Sequence, residues 1–230
     1  MSLNIAAVSG WFVENERLVG LLAEALGQTL TMVLVSGAIG FLFGIPLGVL
    51  LHLTKPRGLL ENTVLNKSIG TLVNIGRSIP FIILLVAIIP FTRFVVGSSI
   101  GTGAAIVPLT VGAIPFIARL VEGALLEVPS GLVEAAQAMG ATPLQIIHKV
   151  LLPEALPGIL NGATITLVTL VSYSAMAGAV GGGGLGDVGI RYGYQRFDGT
   201  VMLITVVMLV IMVQLIQSAG DYLVKRVDHR

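Results

Sequence analysis

The sequence Glu134-Ala-Ala-Gln-Ala-Met-Gly140, followed after nine residues by Val150-Leu-Leu-Pro153, is a polar-containing island in the middle of an apolar chain. Of the 230 residues, 55% are hydrophobic and only 11% are charged, and the mean hydropathy is +0.96. Because a soluble domain has about 25% charged residues, this composition indicates a protein that crosses the membrane several times. The island then has to lie in an aqueous compartment, and what it meets there largely decides the function.

Five apolar runs are long enough to predict membrane spans, each of which needs roughly 20 apolar residues. The predicted spans cover about 21–51, 70–92, 96–121, 155–180 and 199–222, within a membrane domain at 21–228. The second run reaches this length only by extending back through Val73, which places Arg77 inside the helix near one end. There the side chain can snorkel or contact a neighbouring subunit.

The basic residues predict the orientation of the chain. One set of loops carries nine Lys and Arg residues and the opposite set carries four. Because cytoplasmic loops carry the excess, the C-terminus and segment 119–153 are expected in the cytoplasm. The N-terminus is expected outside the cell, where residues 1–20 would form an external extension.

Small residues recur every four positions along the first span, at Ser36, Gly40, Gly44 and Gly48. In lipid, such ridges let two helix backbones approach closely. Packing inside one subunit is the favoured interpretation, and a seam between two subunits is the alternative.

Local signals predict two short helices in the cytoplasmic segment 130–153. Ser130 is expected to cap a first helix at 131–139, and Gly140 suits the left-handed conformation that ends a helix. Thr142-Pro-Leu-Gln145 then predicts a second helix that begins with a capping box. Pro153 is expected to end this second helix.

Each of these helices carries an apolar stripe, formed in the first by Leu132, Ala135, Ala136 and Met139. A helix lying on lipid usually has Lys and Arg on its polar face, yet Lys149 is the only basic residue between Arg119 and the fourth span. This scarcity favours a groove on another protein as the binding site of the stripe.

Several kinds of chemistry are excluded or unsupported. The chain has no cysteine, so it forms no thiolate metal site, and its net charge of +1 gives no preference for nucleic acid. None of its four lysines follows a glycine, so it has no phosphate-binding P-loop. The stretch 181–186 matches GxGxxG, but it follows an apolar run rather than a strand, so nucleotide binding is rejected. No cofactor or metal is expected.

The island resembles the EAA motif of the permease subunits of ABC importers. Glu134-Ala-Ala, Gly140 and the Val-x-Leu-Pro at 150–153 carry the resemblance, at a specific spacing. In that family the motif forms a coupling helix, which docks into a cleft on the ATP-binding subunit. The resemblance implies ATPase-coupling roles for Glu134, Ala135, Ala136, Met139, Gly140, Ala141, Thr142 and Pro143.

The wider chain, about residues 20–228, resembles the permeases of methionine importers. The stretches 77–86, 89–93 and 104–112 carry much of this closer match. The resemblance implies an all-α membrane protein of the bacterial inner membrane, type I ABC importer-like, with five transmembrane helices per subunit and a cytoplasmic coupling helix. It also implies a homodimer with two copies of an ATPase subunit and an external substrate-binding protein. The chain would be a transport subunit rather than an enzyme, and would import L- and D-methionine or close analogues.

Three other functions stay open at this point. An ion-coupled secondary transporter normally needs ionisable groups near the middle of the membrane, and the uncharged cores of the spans offer none, although carbonyl groups alone can bind sodium. A permease for another small amino acid fits the same features, because nothing in an apolar span names methionine. A membrane scaffold that transports nothing is the third.

The fourth span has the most polar side chains and is the predicted pore lining. Thr166, Thr169 and Tyr173 follow the spacing i, i+3 and i+7 of one helical stripe, and Met176 continues it. Paired Met176 side chains in a dimer are expected to close the pore with adaptable thioethers, with ordinary core packing as the alternative.

Overall fold

The computed structural model of the chain describes residues 16–228. Over this range the chain is helical almost throughout and contains no β-strand. The helices are α1 (Glu16–Thr54), α2 (Thr63–Ser78), α3 (Phe81–Ala87), α4 (Ile89–Val96), α5 (Thr102–Leu126), α6 (Ser130–Ala138), α7 (Pro143–Ile146), α8 (Leu152–Ala179), α9 (Gly184–Val188) and α10 (Gly199–Val227). Two π-helical turns, Ile147–Leu151 and Gly189–Tyr194, precede α8 and follow α9. The predicted all-α class is confirmed.

Four helices of the described chain are long and apolar enough to cross a membrane: Glu16–Thr54, Thr102–Leu126, Pro143–Ala179 and Gly199–Val227. The bent pair α2 and α3 makes a fifth span if it is counted as one. Most of the extension predicted at 1–20 lies outside the described residues, and α1 already begins at Glu16.

The second span differs from the continuous helix expected at 70–92. α2 ends at Ser78, and α3 leaves it at an angle of 100°. Pro80 explains the break, because its ring disfavours the helical conformation at the preceding residue and it has no N–H to donate. Ile79 accordingly adopts an extended conformation, with φ −79° and ψ 122°.

The centre of the bundle is the crossing of α1 and α5. A Cβ on Gly44 would lie 2.7 Å from the Cβ of Ile117, and a Cβ on Gly48 would lie 2.5 Å from the carbonyl oxygen of Ala118. Only glycine permits this approach. The ridge of small residues therefore packs inside one subunit, in agreement with the favoured interpretation.

A glycine-rich turn after α8 is fastened to the N-terminal part of α1. The side chain of Gln28 accepts a hydrogen bond from the N–H of Gly184 at 2.7 Å, and Thr29 Oγ1 accepts one from the N–H of Leu185 at 2.9 Å. Gly184 has a φ of +78°, which residues with a Cβ rarely adopt. These bonds hold α9 against α1.

Candidate functional site

The segment 130–153 turns a sharp corner at Gly140, where φ is +78°. The N–H of Ala141 donates to the carbonyl of Ala136 at 3.0 Å, and the N–H of Gly140 donates to that of Gln137 at 2.9 Å. This pair of bonds is the Schellman pattern of a helix that ends in a left-handed residue. The predicted corner is confirmed.

The second helix of the segment starts with the predicted capping box. Thr142 Oγ1 accepts from the N–H of Gln145 at 3.4 Å, and Gln145 Oε1 accepts from the N–H of Thr142 at 2.8 Å. Pro143 occupies the first helical position, where its missing N–H is not needed. The predicted cap at Ser130 is wrong, because α6 already begins at Ser130, after Pro129, without a side-chain cap.

The sequence predicted that Pro153 ends the second helix, but the helix continues past it. α7 passes through the π-helical turn Ile147–Leu151 directly into α8, so that Pro143–Ala179 forms one helical span. The N–H of Leu152 bonds the carbonyl of Ile147, five residues back. This wider turn places Pro153 in the first turn of α8, where a proline is tolerated. The segment is thus continuous with the fourth span.

One face of the segment packs into the main core. Ala136 is 4% exposed, and Ile146 and Leu151 are each 1% exposed. They join a cluster that includes Leu125 in the last turn of α5 and Val128 just after it. This buried side, the inner face, therefore fixes α6 and α7 to the membrane-spanning helices α5 and α8.

The opposite face carries exposed apolar side chains. Met139 is 82% exposed, Leu144 is 65% exposed and Leu132 is 43% exposed. These three, with the exposed residue Ala135, form what we call the outer face. The predicted stripe on α6 is thus divided, because Ala136 points inward while its other members point outward. An exposed apolar patch of this kind marks a protein or membrane contact.

The predicted coupling residues lie together at this corner. Ala136 is buried and Ala141 is half-buried, and the exposed ones are Glu134, Ala135, Met139, Gly140, Thr142 and Pro143. The structure thus brings together most of the set on one exposed surface.

Sequence reasoning missed a basic group facing α6. A cavity of about 200 Å³ separates α6 from the C-terminal end of α1. Glu134 and Gln137 line one side, and His52, Lys55 and Arg57 line the other. Burial lowers the pKa of the Lys55 ammonium. The sequence signal for this basic group was the position of its three residues, directly after the first predicted span and on the same predicted side of the membrane as the island.

The four predicted pore residues are not brought into one cavity. Thr166 is 1% exposed, and its hydroxyl donates to the carbonyl of Gly162 at 2.8 Å. The Thr169 hydroxyl donates in the same way to Ile165 at 2.7 Å. Both hydroxyls are therefore satisfied by their own helix.

Tyr173 and Met176 lie in two different recesses. The Tyr173 ring stacks on Phe81, with centroids 4.3 Å apart and planes 3° apart, beside a cavity of about 160 Å³. Met176 is 46% exposed. It lies in an apolar groove of about 650 Å³ that residues such as Leu209 and Val213 of α10 also line.

Comparisons with known proteins agree with this architecture. Residues 44–230 match the family model described as binding-protein-dependent transport system inner membrane component. A probable D-methionine transport system permease protein of Vibrio cholerae is 68% identical over 230 residues, covering all of both chains. The D-methionine transport system permease protein of Escherichia coli K12 is 62% identical over 164 residues, which are 71% of this chain and 76% of that one.

Two solved structures extend the comparison. An inward-facing chain of the MetNI methionine ABC transporter superposes with a TM-score of 0.92 at 60% identity, covering 94% of this chain and 100% of that chain. A chain of an amino acid ABC transporter with histidines has a TM-score of 0.75 at 16% identity, covering 98% and 100% of the two chains. This second likeness concerns the fold alone.

Proposed function

The chain belongs to the family of binding-protein-dependent transport system inner membrane components, and we propose that it forms the translocation pathway of an ATP-driven methionine importer. It is an inner membrane transport subunit with several apolar helices. It is not an enzyme, and ATP hydrolysis belongs to a partner subunit.

The observation that carries the substrate assignment is the 68% identity with the Vibrio cholerae permease, which extends over both chains completely. The 60% identity with the MetNI permease chain supports the same substrate. Family membership also disfavours the ion-coupled transporter and the scaffold, because a binding-protein-dependent system takes up a substrate that a separate protein delivers.

The assembly consists of two copies of this chain, two copies of an ATP-binding cassette subunit and an external substrate-binding protein. The outer face of α6 and α7 is the proposed docking surface for the ATPase. Its support is an exposed apolar stripe held by a buried inner face, as expected for a helix that binds in a groove. Glu134 and the residues around Gly140 would transmit ATP-driven motion through this contact.

The proposed orientation places the N-terminus outside and the C-terminus in the cytoplasm. Its support is the excess of Lys and Arg on the proposed cytoplasmic side. Because the chain has no cysteine, single cysteines introduced at Ser98 and at Lys225 provide a clean test. An impermeant thiol reagent added to intact cells is expected to label the first and not the second. The reverse pattern would overturn the orientation.

Uptake by the purified complex tests the function itself. The chain is reconstituted in vesicles with its ATPase subunit and its binding protein, and radiolabelled L-methionine, D-methionine and another small amino acid are offered in parallel. Methionine uptake that depends on both ATP and the binding protein is expected. ATP-dependent uptake of the other amino acid alone would replace methionine as substrate, and uptake driven by an ion gradient without the ATPase would reject the proposal.

A further inference from the structure

The backbone of Arg77 lies at the middle depth of the bundle. A Cβ on the preceding residue, Gly76, would lie 3.1 Å from the Cγ of Pro115. Pro115 is near the centre of the membrane-spanning helix Thr102–Leu126. The side chain of Arg77 is therefore attached to the backbone at the level of the span centre. The continuous helix expected at 70–92 would have placed it near a membrane surface.

Within residues 16–228 this guanidinium makes no hydrogen bond and no ion pair. Arg119 provides the contrast, since it bonds Glu122, the carbonyl of Gly70 and the side chain of Asn74. Charged groups at membrane depth are rare, and they typically line substrate pathways or pair with a partner. Arg77 is itself exposed, so its guanidinium is open to a partner from outside the described chain.

Arg77 lines the cavity of about 160 Å³ at the bend between α2 and α3, called the Arg77 cavity below. The stacked rings of Phe81 and Tyr173 form an aromatic wall, and Leu84 adds an aliphatic surface. Aromatic rings make favourable contacts with thioether sulfur. Tyr173 also belongs to the stripe that the sequence predicted to line the pore.

The same bend supplies a group of the opposite polarity. Pro80 has no N–H, so it cannot bond the carbonyl of Gly76 four residues earlier, as the next turn of a helix would. Gly76 itself lines the cavity, and no Asp or Glu of the described chain does. A cation, the end of α2 with its unused carbonyl groups and an apolar wall thus border one small space.

We propose that the Arg77 cavity is a subsite on the translocation pathway for an apolar α-amino acid, with Arg77 binding its carboxylate. The carbonyls at the end of α2 face its ammonium group, and the rings of Phe81 and Tyr173 contact its side chain. An arginine fork binds both oxygens of a carboxylate. This subsite rests on the proposed function and names a place where the substrate binds during transit.

Protection of an introduced cysteine tests the subsite directly. Ile79 lines the cavity and is 39% exposed, and the substitution Ile79→Cys would give the chain its only thiol. Modification of this thiol by a small reagent is measured by mass spectrometry in the complex with the ATPase subunit, in lipid nanodiscs. The two probes are L-methionine and 3-(methylthio)propylamine, which is methionine without its carboxylate.

Methionine is expected to protect the introduced thiol at a concentration about tenfold lower than the amine, the factor expected for one charged hydrogen-bonding group. Adding Arg77→Gln is expected to remove this preference, so that the two compounds protect alike. The matched control is Arg93→Gln on α4, because Arg93 bonds Ser99 and lies outside the cavity lining. It is expected to leave the preference unchanged.

Three outcomes would overturn the subsite. The first is that methionine does not protect the thiol of Ile79→Cys when Arg77 is intact. The others are that Arg77→Gln leaves the preference for methionine over the amine unchanged, or that Arg93→Gln abolishes it equally. If Arg77→Gln does not assemble, Arg77→Lys decides, since lysine keeps the charge without the fork. If methionine protects the introduced thiol less well in Arg77→Lys than with Arg77 in place, the subsite is supported, and if protection is unchanged, the subsite is overturned. Uptake by the wild-type complex separates the two proposals. If it takes up no methionine, the proposed function fails. If uptake is normal but methionine does not protect the introduced thiol, only the subsite fails.

Discussion

The N–H of Ala141 donates a hydrogen bond to the carbonyl oxygen of Ala136 at 3.0 Å, across the corner made by Gly140. Ala136 is buried in the main core, while Met139, three residues on, is 82% exposed. This hydrogen bond therefore closes the corner between the buried end of α6 and the start of α7.

Gly140→Ala is expected to weaken this corner. Nothing lies within 4 Å of a Cβ at position 140, so the effect is conformational and comes from its φ of +78°. A left-handed residue with a Cβ costs about 1–2 kcal/mol. The thermal unfolding temperature of the purified complex should fall accordingly, and less ATPase should co-purify.

Gly131→Ala is the matched control for Gly140→Ala. Gly131 also has nothing within 4 Å of a Cβ, but its φ is not positive. Alanine inside a helix is favoured over glycine by about 0.5–1 kcal/mol, so this variant should be as stable as the wild type or slightly more stable. Equal losses in both variants would contradict the role of the corner.

Met139→Glu is expected to reduce binding of the ATPase by about tenfold or more, because a charge replaces an apolar anchor at the outer face. The measurement is the affinity of the purified chain for its ATPase subunit. His148→Glu is the control, because His148 is exposed on the π-helical turn and lies outside the outer face. If both variants bind normally, the outer face is not the docking surface.

Arg119→Met should destabilise the bundle by about 2 kcal/mol or more. The substitution removes hydrogen bonds to Gly70 and Asn74 of α2, and it leaves the Glu122 carboxylate, only 14% exposed, without its cation. Arg191→Met removes an ion pair with Asp187 in which the arginine is 53% exposed, so it should cost no more than about 1 kcal/mol. Thermal unfolding in detergent compares the two, and similar losses would contradict the argument.

Gly48→Ala should strongly destabilise the crossing of α1 and α5. The added Cβ would lie 2.5 Å from the carbonyl oxygen of Ala118, a backbone atom that cannot move aside alone. Overpacking of this kind typically costs about 1–3 kcal/mol. A Cβ added at Gly27 on the same helix meets nothing within 4 Å. The unfolding temperature of the Gly27→Ala control should therefore not fall. A wild-type unfolding temperature in Gly48→Ala would be inconsistent with the packing.

Met176→Ala tests the proposed gate. A shorter side chain in the groove between α8 and α10 should raise substrate leak, or ATP hydrolysis that is not coupled to transport. Met208→Ala is the control, since Met208 packs on the cluster around Leu185 and Val188. Unchanged leak and ATP hydrolysis in a folded Met176→Ala complex would reject the gate.

The corner of the cytoplasmic segment could be predicted because its causes are local. A glycine that takes a positive φ and a threonine with a glutamine three residues later define their structures within one turn. The direction of each apolar side chain was not predictable in this way. Whether Ala136 or Met139 faces the core depends on helices that are distant in the sequence.

Prolines show the same limit. Pro46 lies inside the continuous helix Glu16–Thr54, whereas Pro80 separates two helices bent by 100°. Pro153 was expected to end a helix and instead lies at the start of α8, because a π-helical turn accommodates it. Neighbouring helices decide whether the freed carbonyls find partners, and hydropathy alone does not contain that information. The position of Arg77 was missed for this reason.

The unbroken passage from α7 into α8 makes Pro143–Ala179 a lever that spans the bundle. At about 1.5 Å per residue, some 50 Å separate Pro143 from Met176. If the helix pivots as a rigid rod, a tilt of about 5° at the start moves the far end by about 4 Å, close to the diameter of a methyl group. Small movements at the Pro143 end would thus be magnified near Met176 without any change inside the helix.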